Sequence, residues 1–284
     1  MDFREMFRVA EGVALRLGEV DPAFKGHHES EKAAKGDTEL YRGKLAALQS
    51  LLYAEKTRSV LIVLQAMDAG GKDGTVNHVF SALNPQGASV AGFKQPTPAE
   101  LAHDFLWRVH RRVPAKGEIA IFNRSHYEDV LVTRVHGLID RATWEARYGE
   151  IREFEALLAA NGTTILKFFL HISKEEQLAR FAERLEDPAR NWKISEADYA
   201  ERAHWDAYMA AFEEALARTS VAHAPWYVVP ANHKWFRNLA VSAIVAATME
   251  ALGMRYPKPT VDLARIRREY HAAVKEEEAG HGNG

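Results

Sequence analysis

The sequence has 284 residues, of which 47% are hydrophobic and 27% are charged, and these values predict a globular protein with one sizeable core. It contains no cysteine, which excludes disulfide bonds and thiolate metal sites and is typical of a reducing cytoplasm. The formal net charge is -2, so a polyanionic partner would need locally clustered cations, and no basic-aromatic pattern predicts nucleic-acid binding. No long charge-free apolar run indicates a signal peptide or a membrane span, so we expect a cytoplasmic protein that binds no membrane.

The predicted elements alternate between strands and helices. After a polar loop and a helix at about 38–55, short apolar runs predict five strands, at 59–65, 88–93, 118–122, 163–172 and 226–229. Helical patterns lie between and after them, at about 72–83, 98–112, 126–136, 143–160, 173–187, 195–218 and 233–253. This alternation predicts an α/β fold in which helices cover both faces of a five-stranded parallel sheet.

The same pass along the chain predicts three parts. Residues 1–55 would form an N-terminal loop and helix that pack on the core, and residues 56–255 would form the α/β domain. Residues 256–284 would form a C-terminal helix, at about 260–276, and a disordered tail that ends in EEEAGHGNG.

The stretch SVLIVLQAMDAGGKDGT, residues 59–75, predicts a phosphate-binding loop between a buried strand and a helix. It departs from the usual G-x-x-x-x-G-K-[ST] pattern, because Ala66 replaces the first glycine and Asp73 replaces the hydroxyl residue. The alternative is a strand-turn-helix joint in which the glycines serve only the turn. The predicted phosphate-binding residues are Ala69, Gly70, Gly71, Lys72, Asp73, Gly74 and Thr75.

Metal binding must be arranged differently in a loop that lacks the usual hydroxyl. Asp68 is a carboxylate within the loop, where it would repel phosphates unless a cation such as Mg²⁺ lay between them; the alternative is that it only forms the turn. Asn123, at the end of the third strand, could hold a metal-bound water, and Arg124 could stabilise a transferring phosphoryl group. The alternative for Arg124 is a surface pair with Glu128, four residues further on.

A basic segment after the fourth strand predicts a lid, at about 174–205. Arg180 and Arg184 are one helical turn apart and would contact phosphates when the lid closes. Ser195 and Asp198 predict the start of the second lid helix. For Arg108, Arg111 and Arg112, which precede the third strand, a solvated helix surface is the favoured interpretation. The thirteen histidines do not by spacing predict a metal site.

Several ordered motifs resemble the polyphosphate kinase type 2 family over about 20–255. They are DPAFKG, LIVLQAMDAGGKDGT, NPQG, FKQPTPAELAHDFLWRVH, IFNRSHYEDVLV and RLEDPARNWKIS. The resemblance implies a thymidylate-kinase-like P-loop kinase fold with a helical lid. It also implies transfer of phosphoryl groups between inorganic polyphosphate and nucleoside mono- and diphosphates, AMP/ADP to ADP/ATP, with Mg²⁺ as cofactor, and assembly into a homo-oligomer.

The resemblance also implies roles for individual residues. The family's loop is commonly G-x-D-A-A-G-K, which Asp68, Gly71 and Lys72 match, whereas Ala66 and Gly70 depart from it. The implied catalytic residues are Asp68, Lys72, Arg124 and Glu128, and the implied metal ligands are Asp68, Asn123 through water, and Glu128. An acidic residue at 128 resembles the class that acts on both AMP and ADP.

Two other functions fit the residues alone. The same fold and lid would serve a nucleoside monophosphate kinase that uses ATP as the donor. A non-catalytic nucleotide-sensing protein would explain the missing glycine and hydroxyl of the loop, although the combination of Asp68, Lys72 and Arg124 argues against it. Activity with AMP or ADP and polyphosphate in the absence of ATP distinguishes the three.

Overall fold

A computed structural model describes residues 2–281. The chain forms two compact units, of which the first ends at Met254 and the second begins at Arg255. The division of the first unit into an N-terminal part and a kinase domain remains a prediction. No helix within residues 2–281 has the length and apolar character needed to cross a membrane.

The core of the first unit is a five-stranded parallel sheet with the strand order β2-β3-β1-β4-β5. Its central strand is buried along its whole length, as expected for a strand with neighbours on both sides and helices on both faces. The predicted sheet is confirmed, and each strand lies within one residue of its predicted bounds. The strands are β1 (Ser59–Gln65), β2 (Ala88–Gly92), β3 (Ile119–Asn123), β4 (Thr163–His171) and β5 (Trp226–Pro230).

Twelve α-helices are present in the described residues, and those of the first unit form two groups on the sheet. One group packs around α11, in which most residues are buried, and the other packs around α7 and α10. The helices are α1 (Phe3–Phe7), α2 (Glu31–Glu55), α3 (Lys72–Val79), α4 (Pro98–Leu101), α5 (Trp107–His110), α6 (Val132–Val135), α7 (Arg141–Ala160), α8 (Lys174–Glu186), α9 (Glu196–Ala203), α10 (Trp205–Thr219), α11 (Lys234–Ala251) and α12 (Leu263–His281).

Three predicted helices are wrong as continuous elements. The one at 98–112 is divided into α4 and α5, because the Asp104 side chain accepts from the N–H of Leu106 at 3.0 Å and starts a new turn. The one at 126–136 begins as a 3-10 helix, His126–Val130, before α6. The one at 195–218 is interrupted at His204, between α9 and α10.

The ends of the chain also differ from expectation. The predicted helix at 38–55 begins earlier, at Glu31, because Ser30 caps it through a bond from the N–H of Ala33 to the Ser30 hydroxyl. The tail was expected to be disordered from 276, but α12 continues to His281. Positions 282–284 of that tail lie outside the described residues.

Candidate active site

The candidate site lies at the carboxyl edge of the sheet, where β1 and β3 end. These strands pair so that Leu64 lies opposite Asn123, and the N–H of Arg124 donates to Leu64 O at 3.1 Å. The Arg124 guanidinium donates to Asp68 Oδ1, also at 3.1 Å. The phosphate loop and the segment after β3, predicted from topology to be neighbours, therefore meet at this ion pair.

The loop between β1 and α3 forms a tight turn that ends at the start of a helix. Ala69 has a φ of 58° and Gly71 one of 102°, and the N–H of Gly70 donates to Met67 O at 2.9 Å. Free backbone N–H groups and the positive end of the α3 dipole make this point suited to an anion. A cavity of about 770 Å³ opens on it, and its walls include the predicted Ala69, Gly70, Gly71, Lys72, Asp73 and Gly74.

Lys72 supplies a cation at the helix start. Its Nζ donates to the backbone oxygen of Ala66 at 3.0 Å, which is a neutral acceptor. Burial lowers the pKa of Lys72, and the positive charge of Arg124 lowers it further against the opposing effect of Asp68. A phosphate beside Nζ would favour the charged form of Lys72, and its role in phosphate binding remains a prediction.

Arg237 is a second cation of this cavity and was not predicted from the sequence. Its side chain projects from α11 and is 2% exposed, and its Nη2 donates to Asn238 Oδ1 at 2.8 Å. Burial and the neighbouring Arg180 hold the pKa of Arg237 below its usual range. The sequence does contain a signal for Arg237, which lies at the end of KWFR, directly before the apolar run NLAVSAIVAATM. An unpaired charge in a buried helix is rarely structural.

The Arg237 guanidinium packs directly against the loop and α3. A Cβ added to Gly71 would lie 1.8 Å from Arg237 Nη1, and one added to Gly74 would lie 3.0 Å from Nη2. The two glycines therefore make room for a buried cation beneath the phosphate site. Their role goes beyond the flexibility of the turn.

Arg180 was predicted to contact phosphates from a lid, and that role remains a prediction. Its side chain is 5% exposed and lies beneath the phosphate loop. Its Nη1 donates to Ala69 O at 2.8 Å, and its Nη2 donates to the backbone oxygens of Ala231 and Asn232 at 2.5 and 3.2 Å. Arg180 thus ties the loop to the end of β5, although its guanidinium also reaches the cavity wall.

Thr75 was predicted to bind phosphate, but its side chain does not reach the cavity. The residue is fully buried, and its hydroxyl donates to Gly71 O at 3.1 Å within the first turn of α3. The position follows from helix geometry, because a residue four positions after Gly71 lies one turn further along the helix.

Oxygen donors beside the loop form a set that fits magnesium. Asn123 Nδ2 donates to Asp73 Oδ1 at 2.7 Å, so the side-chain amide and the carboxylate lie directly beside each other. Asp68, Asp73 and Asn123 all line the cavity. Carboxylate and amide oxygens are the protein ligands that Mg²⁺ prefers, so the residues present fit the ion that the sequence implied. Asp73 was predicted to contact phosphate. Because its side chain is a carboxylate, a cation such as Mg²⁺ would have to lie between it and a phosphate.

A basic rim closes the far side of the cavity. Arg184 lines it together with Arg190, Lys193 and Lys234. Arg184 Nη1 donates to Lys193 O at 3.0 Å and lies 3.8 Å from Asp198 Oδ1. The predicted capping pair of Ser195 and Asp198 is confirmed at the start of α9. The cavity is therefore a cationic trough that extends from the phosphate loop towards α9.

A second cavity, of about 510 Å³, adjoins the first. Asp68, Phe93, Lys94 and Arg124 line both, and the second adds apolar walls from Leu131, Val132, Leu138, Ile139 and Phe212. The site thus has a charged half and a partly apolar half, and the Asp68–Arg124 pair lies between them.

Glu128 lines the second cavity but not the first. Arg124 forms its salt bridge with Asp68, at 3.1 Å, so the surface pair of Arg124 with Glu128 is not found. Burial raises the pKa of Glu128, although Arg124 and Lys72 act in the opposite direction. Burial alone would lower the pKa of Arg124, but Glu128 and Asp68 outweigh it and raise this pKa. The two residues therefore interact electrostatically without forming a salt bridge.

Arg108 also belongs to the second cavity, although its sequence context favoured a solvated surface. Its side chain is buried, with Nη1 donating to Lys94 O at 2.8 Å and Nη2 3.7 Å from Asp129 Oδ2. The division of the predicted helix into α4 and α5 changes which residues face inward. Arg111 and Arg112 remain exposed, as expected.

A buried polar network supports the 3-10 helix that carries Glu128. Lys167 Nζ, on β4, lies 2.6 Å from Glu155 Oε2 and 2.9 Å from the Tyr127 hydroxyl. His126 Nε2 lies 3.2 Å from Glu155 Oε1. All four side chains are fully buried, so this network fixes the segment directly before Glu128.

The fold and the site together define a kinase of the P-loop class. A parallel sheet leads from its central strand into a glycine-containing loop and a helix, and a lysine at the helix start shares a cationic cavity with the carboxylates of Asp68 and Asp73.

Comparison with known proteins gives the family. The family model described as Polyphosphate kinase 2 matches residues 28–256. The chain is 52% identical to the AMP/ADP-polyphosphate phosphotransferase of Meiothermus ruber, over 92% of this chain and 98% of that protein. It is 46% identical to the ADP-polyphosphate phosphotransferase of Rhodopseudomonas palustris, over 90% and 93% of the two chains. The crystal structure of Polyphosphate Kinase 2 from Arthrobacter aurescens TC1 superposes with a TM-score of 0.92 at 43% identity, covering 96% and 97%. The chain belongs to the polyphosphate kinase 2 family.

Proposed function

We propose that this chain is a polyphosphate:nucleotide phosphotransferase that moves phosphoryl groups between inorganic polyphosphate and AMP or ADP. The observation that carries the proposal is the junction of the two cavities. The cationic trough suits a chain of phosphates, and the partly apolar cavity suits a nucleoside, and Asp68 and Arg124 line both. A phosphoryl group that passes between donor and acceptor has to pass this junction.

The charges of the trough support a polyanionic donor. Arg237 and Lys72 are held by neutral acceptors, the Asn238 side chain and the Ala66 carbonyl. Within residues 2–281, no carboxylate forms a salt bridge with Arg237. Their positive charge therefore remains available to phosphate oxygens, and its attraction to them is stronger in a buried site than in water.

The mechanism needs orientation and charge stabilisation more than covalent chemistry. We assign Lys72 and the loop N–H groups of Ala69 and of Gly71 to Gly74 to the donor phosphates, and Arg124 to the transferring group. Asp68, Asp73 and Asn123 would hold Mg²⁺, which when bound offsets the negative charge of the phosphate oxygens. Arg184 and the rest of the rim would keep the polymer in the trough.

The donor assay tests the proposal. Purified protein is incubated with AMP or ADP, Mg²⁺ and polyphosphate in the absence of ATP, and nucleotide products are separated by chromatography. Formation of ADP or ATP is expected. Product formation from AMP only when ATP is supplied would identify an ATP-dependent monophosphate kinase instead, and nucleotide binding without any turnover would identify a sensor.

Glu128 is the residue that we propose to favour AMP as an acceptor. AMP has one phosphate fewer than ADP, so its terminal oxygen reaches the transfer point only with a different arrangement of charge, and a carboxylate at 128 could help to hold a second Mg²⁺. We expect Glu128→Asn to reduce AMP phosphorylation at least about tenfold more than ADP phosphorylation. Rates on the two acceptors measured side by side decide this, and equal losses would contradict acceptor selection.

We also propose a cytoplasmic homo-oligomer that contacts a second copy through α12. This helix exposes Leu263, Ile266 and Tyr270, which lie three and four residues apart and share one face. Arginines at 265, 267 and 268 precede glutamates at 276–278, so an antiparallel pair of these helices would bring opposite charges together. Light scattering of the full chain and of Ile266→Glu tests this proposal: the variant should have a lower mass, and an unchanged mass would refute it.

A further inference from the structure

A histidine-carboxylate cluster lies in the loop that precedes α2. His27, His28 and Asp37 each offer a ligand atom, and these atoms all lie within 4.8 Å of one another. In the part of the chain that the structure describes, this is the one group of three or more histidine, aspartate or glutamate side chains so arranged. None of the three lines either cavity of the candidate site.

The His28 imidazole is built into this cluster. Its side chain is 6% exposed, and its Nε2 lies 3.0 Å from Asp37 Oδ2. Its Nδ1 is buried and has no hydrogen-bond partner among residues 2–281. A buried polar nitrogen without a partner is costly, so the arrangement calls for a ligand at this imidazole.

We propose that His27, His28 and Asp37 form a binding site for a divalent cation of the zinc class, separate from the magnesium of the reaction. Two imidazoles and one carboxylate are a ligand set that Zn²⁺ accepts, with water at the fourth position. Mg²⁺ prefers an all-oxygen set, so the two sites select different ions. Asp37 either ligates the ion directly or orients His28 through Nε2, as carboxylates do beside metal-bound histidines.

The position of the cluster gives the ion a structural role. His27 and His28 lie in the loop before α2, and Asp37 lies in its second turn, so a shared ion would fasten the loop to the helix. The same loop accepts a bond at Pro22 O from the N–H of Asn232, at 3.0 Å. Asn232 O in turn accepts from Arg180, so the fastened loop supports the residue that holds the phosphate loop.

The experiment uses full-length protein without a histidine tag, stripped with a chelator and titrated with Zn²⁺ by calorimetry in the absence of polyphosphate. We expect one site per chain. His27→Gln and Asp37→Asn should each weaken binding at least about tenfold, the scale found for residues that ligate or orient a metal. The control is His103→Gln, because this exposed histidine, stacked at 4.1 Å on Trp107, lies in another part of the chain. It should bind as the wild type does.

Thermal unfolding supplies a second measurement. Zn²⁺ that binds only the folded protein raises its melting temperature, so the wild type and His103→Gln should be stabilised and His27→Gln should not. His27 is exposed, so its replacement leaves the core intact, and its melting temperature without zinc checks that the variant is folded. Absence of zinc binding by the wild type, or equal binding by all four proteins, would overturn the proposal. An excess of Mg²⁺ that displaces the zinc would also overturn it.

Discussion

Replacement of Gly70 by alanine tests how closely the phosphate loop is packed. A Cβ added at Gly70 would lie 2.4 Å from the Cβ of Ala66 and 2.8 Å from the backbone oxygen of Met67. Both distances are shorter than real contacts of a Cβ atom. Gly70 is not among the residues with a positive φ, so the cost of Gly70→Ala arises from crowding and not from the backbone conformation.

Ala66 is the source of the shorter contact. The two departures from the loop pattern of the family are a methyl gained at 66 and a methyl lost at 70, and the two methyls would occupy nearly the same space. We therefore interpret them as one compensated exchange. Inserting a methyl into a packed region costs about 1–3 kcal/mol, and contacting residues couple by about 0.5–3 kcal/mol.

The assay is a double-mutant cycle of Gly70→Ala and Ala66→Gly, followed by denaturant and thermal unfolding. Gly70→Ala alone should lower the free energy of unfolding by about 1–3 kcal/mol, or about 2–4 °C in melting temperature per kcal/mol. Ala66→Gly should recover part of this loss, because it removes the methyl at 2.4 Å but not the Met67 oxygen at 2.8 Å. The Michaelis constant for polyphosphate should rank the variants in the same order as their losses of unfolding free energy.

Gly43→Ala is the matched control. This glycine lies in α2, and an added Cβ meets nothing within 4 Å. The same chemical change should here stabilise the protein by up to about 1 kcal/mol, through helix propensity. The reasoning would be refuted if Gly70→Ala cost as much in the Ala66→Gly background as in the wild type.

Three further predictions concern charges. Arg237→Met removes a buried cation without a carboxylate partner, so we expect unchanged or increased stability with at least about tenfold weaker polyphosphate binding; a parallel loss of both would make Arg237 structural. Lys72→Ala should reduce turnover by at least about two orders of magnitude, the scale of one transition-state stabiliser, and Asp68→Asn should also weaken the dependence of the rate on Mg²⁺. Lys167→Met leaves the buried Glu155 without its lysine partner, so denaturant unfolding should register a loss of about 3–5 kcal/mol. Adding Glu155→Gln should restore part of this loss, and additive losses would contradict the pairing of Lys167 with Glu155.

The sequence predicted the sheet well because each strand is a short apolar run between polar turns. In β1, seven consecutive residues are buried, and such a run leaves little choice of register or of layer. The loop between β1 and α3 could also be predicted from the sequence, because Gly71 and Lys72 follow that strand at the spacing that a helix start requires.

The positions of the arginines could not be predicted from local patterns. Arg180 and Arg184 share a helix face by spacing and both line the trough, yet Arg180 is buried beneath the loop and Arg184 lies on the rim. What separates them is the distance of each from the end of β4, where α8 begins, and this depends on how the helix packs. Arg108 is buried because a single side chain, Asp104, breaks the helix before it, and Arg237 comes from a helix at the far end of the chain.

The partners of these cations explain how the site remains able to bind phosphate. A carboxylate beside each buried cation would cancel its charge before any substrate arrived. Lys72 and Arg237 instead bond to amide oxygens, and Arg180 divides its bonds between one carboxylate, Glu176, and three backbone oxygens. Amide dipoles satisfy the hydrogen-bond donors and leave the net positive charge in place. Carboxylates do lie beside other cations of the site. On the rim, Arg184 lies 3.8 Å from Asp198 and Lys234 lies 2.7 Å from Glu183, and Arg124 pairs with Asp68 at the junction of the two cavities. At that junction the donor and acceptor phosphates have to approach each other, so a carboxylate that can also hold a metal is compatible with transfer.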